Sequence, residues 1–584
     1  MNTWNLDSLY TSEESKEFKE DFNKLKQLIK SLNDYVKELG SKDVNETIVH
    51  ILTNTNELSA TASKLGAYLA LRSSVDTTNE KILSLADNID NELSNYAKTS
   101  AAISAYIGDL DFSKIDFNNK YIKEHEFYLN ELKENRKYLL SNDVEEAIAK
   151  LNLNGSSMWS NLQRILTSTL KVDVNGEQQP LSQVRNMAYD PDLKVRKLGY
   201  DSEIKAYEKI EESVAFALNG IKGEANTIAE LRGYKSVLEM TCKDSRVNIK
   251  TIETMINEMK KALPHFHKYL NRKAELLGYK EGLPFYEMFA PIGKSSSKFS
   301  VEESGKYLVE VFKEEALEIS ELIQEAYDND WIDFLPKAGK VGGAFCYNLP
   351  FIKQSRVLTN FDGSLSDVIT LAHELGHAYH GHCIQEHHSL NTNYSMPVAE
   401  TASIFNETVV MNKVIKETTD KQEKIMLLES SLQDSTQVIV DIMSRFLFET
   451  EVVERRKNEF LFSKELNNMM LKAQKEAYGS GLDHKTLHPY MWINKSHYYS
   501  AGNNFYNFPY AFGLLFAKGL YAKFTENKKE FIKVYNNILK ATTVSKVEDV
   551  ALIANIDLQD SKFWRDSLKV ITDQIDEFIE LTNK

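Results

Sequence analysis

The chain has 584 residues, too many for one small core and enough for two or three domain-sized units. Hydrophobic residues at 42% and charged residues at 27% exclude global disorder, and 24 glycines with 10 prolines are too few for a turn-rich β protein. The net charge of −15 excludes the basic footprint of a nucleic-acid binder, and three cysteines far apart in sequence exclude a disulfide framework.

The first residues, MNTWNLDSLYTSEESKEF, have neither a basic n-region nor an apolar h-region. The longest apolar stretch, Pro509 to Ala517, falls far short of the ~20 residues that span a bilayer. The expectation is a soluble cytoplasmic protein with no membrane or nucleic-acid partner; no feature points to an oligomeric state.

In chain order, Phe18, Phe22, Leu25, Leu28, Leu32, Tyr35 and Leu39 recur at steps of three or four and predict an amphipathic helix closed by Gly40. Lys120 to Asn142 reads as another solvated helix face. STLKVDV, Asn175-Gly176 and EQQPL predict a hairpin with a type I′ turn. Asp190-Pro191 suggests an N-cap and first helical residue, ahead of one long helix through Tyr207, Ile210, Val214, Leu218 and Ile221. A soft boundary there divides an N-terminal helical region, 1–195, from a second region, 196–584.

Between Lys340 and Phe361, VGGAFCYNLP and SRVLTNF suit two short strands, and Gly342-Gly343 lets another backbone approach. A hairpin packed on helices and an edge strand pairing with an extended ligand are both compatible with that pattern. After Gly363 the pattern is helical to the end, with Ser364 as N-cap and Asp367 at N3. The fold class expected is mainly α, with a small β hairpin or sheet.

The segment LAHELGHAYH carries the chemistry. His373 and His377 are four apart, so on a helix their Cβ atoms lie ~5–6 Å apart on one face and both rings reach one zinc ion. Glu374 is offset by about 100°, where it reaches a metal-bound water and not the ion. Leu371, Ala372, Leu375 and Ala378 make the segment apolar, and buried histidines beside a buried glutamate are costly unless they bind something.

A zinc hydrolase needs a third protein ligand and an open position. His380 and Cys383 stand where a metzincin would have Gly and His, which excludes that class. In MPVAETASIFNE, Glu400 and Glu407 are seven apart, so one can bind metal while the other orients a histidine. Glu400, among the small residues Ala399, Ala402 and Ser403, is the better ligand; Glu386 would point away. His380, one turn past His377, is the leading candidate to support a ligand from behind. The stretch from Ser496 to Gly513 holds His497, Tyr498, Tyr499, Tyr506 and Tyr510, either as an aromatic core loop or as donors to a developing oxyanion.

These motifs together resemble oligoendopeptidase F, in the thimet-oligopeptidase-like family of zinc metallopeptidases. The matching segments are GGAFC from Gly342, TLAHELGHAYH from Thr370, VAETAS from Val398 and FYNFPYAFG from Phe505, with SSMWSNL from Ser156 and YDPDLKVR from Tyr189 in the first half. The resemblance implies two helical lobes around a deep channel that admits short peptides. It implies one Zn2+ per chain on His373, His377 and Glu400, Glu374 as general base to the zinc-bound water, and a backbone-pairing strand near Gly342 to Phe345. His497 becomes a substrate contact, and Tyr499 and Tyr506 the carbonyl-polarising tyrosines, with Tyr510 in reserve. The activity implied is cleavage of internal bonds in short oligopeptides. A carboxypeptidase or dipeptidase on the same site is the alternative, followed by a silent peptide-binding protein, against which the retained Glu374 argues.

Overall fold

The computed structural model describes residues 3–293 and 298–583. The first predicted helix is Lys16–Tyr35, started by Ser15, whose hydroxyl accepts from the Phe18 amide. It buries Phe18, Leu25, Leu28 and Leu32, tightens into a 3-10 turn at Val36–Glu38, and is followed by Gly40 at φ +82°. The charged stretch after Lys120 divides into Lys120–Glu124 and Glu126–Arg136.

The hairpin forms as predicted. Strand β1 (Lys171–Val174) pairs antiparallel with β2 (Glu177–Pro180), and Asn175 and Gly176 take φ of 54° and 90°, the two positive angles of a type I′ turn. The next helix differs from expectation. Asp190 accepts from the Asp192 amide at 2.7 Å, and Asp192, not Asp190, caps the helix Leu193–Tyr207 by accepting from Lys194. The predicted long helix is two: the chain breaks at Ile210 (φ −124°) and resumes as Glu211–Leu231. No glycine or proline marks this break. Tyr207, Ile210 and Val214 are all buried in one core, so the bend keeps both segments packed on it.

A three-stranded sheet supplies the remaining β structure. It consists of β3 (Ile332–Asp333), β4 (Phe345–Leu349) and β5 (Gln354–Leu358), in the order β3-β5-β4. β4 pairs antiparallel with β5 from Phe345↔Leu358 to Leu349↔Gln354, and so forms one edge. Alternation along β5 faces its side chains two ways. Leu358 joins the core of the first 130 residues, with Leu349 of β4, while Val357 joins the core of the second half. The sheet therefore ties the two bodies together beside the motif helix.

That helix, Leu365–Ile384, starts in a full capping box between Ser364 and Asp367. From there to the end the described residues are helical apart from short turns. A third core joins Leu170 to Ile221 with Phe448 to Tyr499, so packing runs continuously across residue 195. No described helix is long and apolar enough to cross a membrane.

Candidate active site

Two close approaches set the position of the motif helix. A Cβ on Gly376 would lie 2.5 Å from the Ala402 carbonyl oxygen, so the helix Thr401–Glu417 can approach only because position 376 is glycine. Gly381 similarly admits the Asn348 side chain of β4, whose amide donates to the His377 carbonyl at 3.2 Å. Helix, strand and second helix are thereby locked around His373 and His377.

The small residues near Glu400 then bring its carboxylate onto both rings. Glu400 Oε2 lies 3.3 Å from His373 Nε2 and 3.2 Å from His377 Nε2. The ligand atoms of His373, His377 and Glu400 all fall within 4.8 Å of one another. On the other side of the His373 ring, Nδ1 lies 3.3 Å from Glu407 Oε2. Glu400 and Glu407 thus occupy the two positions that their seven-residue spacing offered, and Ser403 donates to Glu400 Oε2 at 2.7 Å. Glu386 turns outward to Lys353.

The donor set fits a cation. With Nδ1–H of His373 donated to Glu407, the Nε2 lone pair faces the Glu400 carboxylate, and two acceptors at that separation repel unless a proton or cation lies between them. The same frustration appears in the proton affinities of the cluster. Burial disfavours a charged His373, but hydrogen bonds to Glu400 and Glu407 outweigh it and raise the pKa to about 10. Burial pushes Glu400 up, but the two histidines hold it far below the usual carboxylate range. A metal ion at this point would take the place of those protons. Glu374 makes neither contact. It is 6% exposed, and burial raises its pKa.

These residues open on a cavity of about 720 Å³ lined by His373, Glu374, Glu400 and Glu407, with Gly343 and Ala344 at its rim, immediately before edge strand β4. Tyr510 lines it as well. Its hydroxyl is 3.4 Å from His497 Nε2, and Tyr506 stacks on the His497 ring with centroids 5.3 Å apart. His497 and Tyr506 both pack on Tyr510 and are not among the residues lining the cavity. Tyr499 does not reach the cavity: it is 2% exposed and donates to the Trp492 carbonyl at 2.9 Å inside the third core. His380 does not support His377; it is fully buried, bonds Thr542 Oγ1 at 2.8 Å and stacks on Tyr394.

Further charged residues on the cavity wall are Asp367, Asp434 and Lys518. Lys518 is 6% exposed, and burial lowers its pKa against the pull of Glu407 and Asp434. Burial raises Asp434 to about 6. The signal for Lys518 was present in the sequence as a single cation in the apolar run FGLLFAKGL. Asp434 carries no such signal, because its helix, Lys421–Thr436, is rich in polar residues.

A family model described as Peptidase family M3 matches residues 186–570, and one described as Oligopeptidase F matches residues 111–171. The chain belongs to peptidase family M3. Oligopeptidase PepF of Bacillus subtilis is 23% identical over 100% of this chain and 88% of its own length. An oligoendopeptidase F homolog of Lactococcus lactis is 24% identical over 100% of this chain and 97% of its own. The crystal structure of oligoendopeptidase-F from Enterococcus faecium superposes with a TM-score of 0.70 at 20% identity, covering 97% of this chain and 99% of that one. A solved chain from Chlamydophila abortus reaches 0.84 at 21% identity, covering 99% and 98%. The fold is therefore that of these helical peptidases, and the chain is a peptidase.

Proposed function

We propose that the protein is a zinc-dependent endopeptidase that hydrolyses internal bonds of short oligopeptides. The observation that carries this reading is the convergence of His373, His377 and Glu400 on one point, with Glu374 beside it, in a cavity lined by Gly343 and Ala344 just before a sheet edge. His373, His377 and Glu400 hold the ion, and Glu407 fixes the His373 tautomer. A bound zinc ion supplies Lewis acidity towards the scissile carbonyl and the attacking water.

This chain's residues do the rest. The substrate lies extended along Gly343 and Ala344, adding a strand to the sheet edge. Glu374 removes a proton from the attacking water as the new C–O bond forms, and delivers it to the nitrogen as the C–N bond breaks. Tyr510 donates its hydroxyl hydrogen bond to the carbonyl oxygen as negative charge builds there. His497 and Tyr506 hold that hydroxyl in place.

The test is mass spectrometry of products from a mixed peptide library. Wild-type protein should cut internal bonds, also in peptides blocked at both ends, and stop with a chelator. Glu374→Gln should keep its metal and lose turnover. Cleavage by Glu374→Gln at near wild-type rate would remove the base from the mechanism, and cleavage confined to unblocked termini would replace the endopeptidase with a carboxypeptidase or dipeptidase.

A further inference from the structure

A second cavity, of about 470 Å³, opens beside the first. Asp434 lines both, so the two spaces are neighbours. Ser431, Ser435 and Val438 face the metal cavity, whereas Gln433, Gln437 and Asp441, from the same run of helix, face the second. The wall between the cavities is thus one helix thick.

The charges around the second cavity are mostly matched. Arg185 lies 3.2 Å from Glu203, Arg196 lies 2.7 Å from Glu287, and Asp441 is paired with Arg445. Lys495 is the exception among its cations. It lines the cavity, yet its ammonium has neither an ion pair nor a hydrogen bond among the described residues. A shielded cation that no carboxylate contacts, with Asp441 and Glu203 acting on it only from a distance, is costly, and it is retained most readily where an arriving anion completes it. Its position suits an arriving substrate. His497 is two residues further on and touches Tyr510, which lines the metal cavity. The wall also carries aromatic rings, among them Tyr189, Tyr200 and Phe289, which suit a peptide side chain.

We propose that Lys495 is a specificity-determining residue that pairs with a substrate carboxylate in this second cavity. The carboxylate is that of the peptide's C-terminus or of an acidic side chain. The proposal rests on the peptidase reading for the identity of its ligand. The surroundings of Lys495 add a pH signature. Burial lowers its pKa to about 8, with Asp441 and Glu203 acting to raise it and Arg445 and Arg185 to lower it. His488 also faces the cavity. The ammonium is charged below pH 8 and is lost above it.

The experiment uses three N-acetylated peptides of one cleavable sequence: a free C-terminal acid, the C-terminal amide, and an amide with glutamate as its last residue. Binding is measured by calorimetry on the full Glu374→Gln chain, and kcat/KM on wild type, Lys495→Met and Lys495→Arg. We expect tenfold or more tighter binding of the acid than of the plain amide, or of the glutamyl amide if the side chain is the source. Lys495→Met should abolish the preference, Lys495→Arg should retain it, and in the Glu374→Gln chain itself it should fade between pH 7 and 9. The wild-type and pH comparisons need no change at position 495, so misfolding of Lys495→Met leaves the test intact. Equal binding of all three peptides at pH 7, or a preference that survives Lys495→Met, overturns the proposal. Absence of hydrolysis by wild type would instead refute the peptidase reading, while the calorimetric comparison still decides Lys495.

Discussion

Replacing Glu449 with alanine should unfold the protein earlier and slow it as well. Lys222 and Glu449 form a buried ion pair at 2.7 Å, with exposures of 0% and 1%. Glu449 also accepts from the Phe505 amide and from Asn507 Nδ2, both at 2.9 Å, while Lys222 donates to Asn504 at 2.9 Å. These bonds hold the loop before Tyr506, in which Phe505 takes φ +51°, a left-handed conformation costly for an aromatic residue. Glu449→Ala leaves one charged and two neutral donors without that acceptor in the interior. Breaking such a pair costs about 3–5 kcal/mol. A chain of this length melting as one unit has an unfolding entropy of roughly 1.2 kcal/mol/K, so Tm should fall by about 3–4 °C. Release of the loop should also lower kcat by roughly tenfold or more through misplacement of Tyr506 and Tyr510. Calorimetric melts and steady-state kinetics on one preparation measure both. The double variant Lys222→Met/Glu449→Leu should recover part of the stability, because the charge is gone while the Phe505 and Asn507 donors stay unmet. A Glu449→Ala protein with unchanged Tm and unchanged kcat would refute this assignment of the network.

Tyr510→Phe should lower kcat by about 10²–10³ with little change in KM, the usual cost of one oxyanion donor, whereas Tyr499→Phe should leave kcat intact and cost about 1 kcal/mol of stability; the reverse pattern would return the donor role to Tyr499. Gly376→Ala places a methyl 2.5 Å from the Ala402 carbonyl oxygen and 2.6 Å from Ser403 Cα, and should cost about 1–3 kcal/mol and weaken zinc binding together; a metal titration superposable on wild type would contradict the close packing. Lys495→Met should stabilise the fold at neutral pH. The folded pKa of about 8 lies below the ordinary lysine value of 10.5, so the unfolded chain binds more protons between those pH values. The wild-type penalty, on the order of 3 kcal/mol, is therefore full below pH 8 and fades towards pH 10.5. Melts at pH 7 and pH 10 should show the gain shrinking with pH, and a constant gain would contradict it.

Much of this architecture is written in local patterns. The Asn175-Gly176 turn, the Ser364–Asp367 capping box and the four-residue spacing of His373 and His377 each depend on neighbours within one or two turns, and each forms as its residues dictate. Glu400 and Glu407 were legible as a pair because seven residues return to the same helix face. Only tertiary approach, through Gly376, decides which of them meets the rings from the front. The break at Ile210 left no mark, since packing on the third core, not a helix breaker, bends the chain there. Asp190 and Asp192 offer the same capping chemistry two residues apart, and only the backbone path selects between them. Tyr499, Tyr506 and Tyr510 are indistinguishable by composition. Their roles separate because Tyr499 turns its hydroxyl to the Trp492 carbonyl while Tyr510 turns to the cavity.

The central claim is that one divalent ion sits between His373, His377 and Glu400. Anomalous diffraction recorded on either side of the zinc absorption edge, on crystals of the purified full chain, tests it most directly. A single strong peak is expected at ligand distances of about 2.0–2.2 Å from both Nε2 atoms and a Glu400 oxygen. A zinc-loaded crystal with no peak there, or with its peak on other side chains, would contradict it.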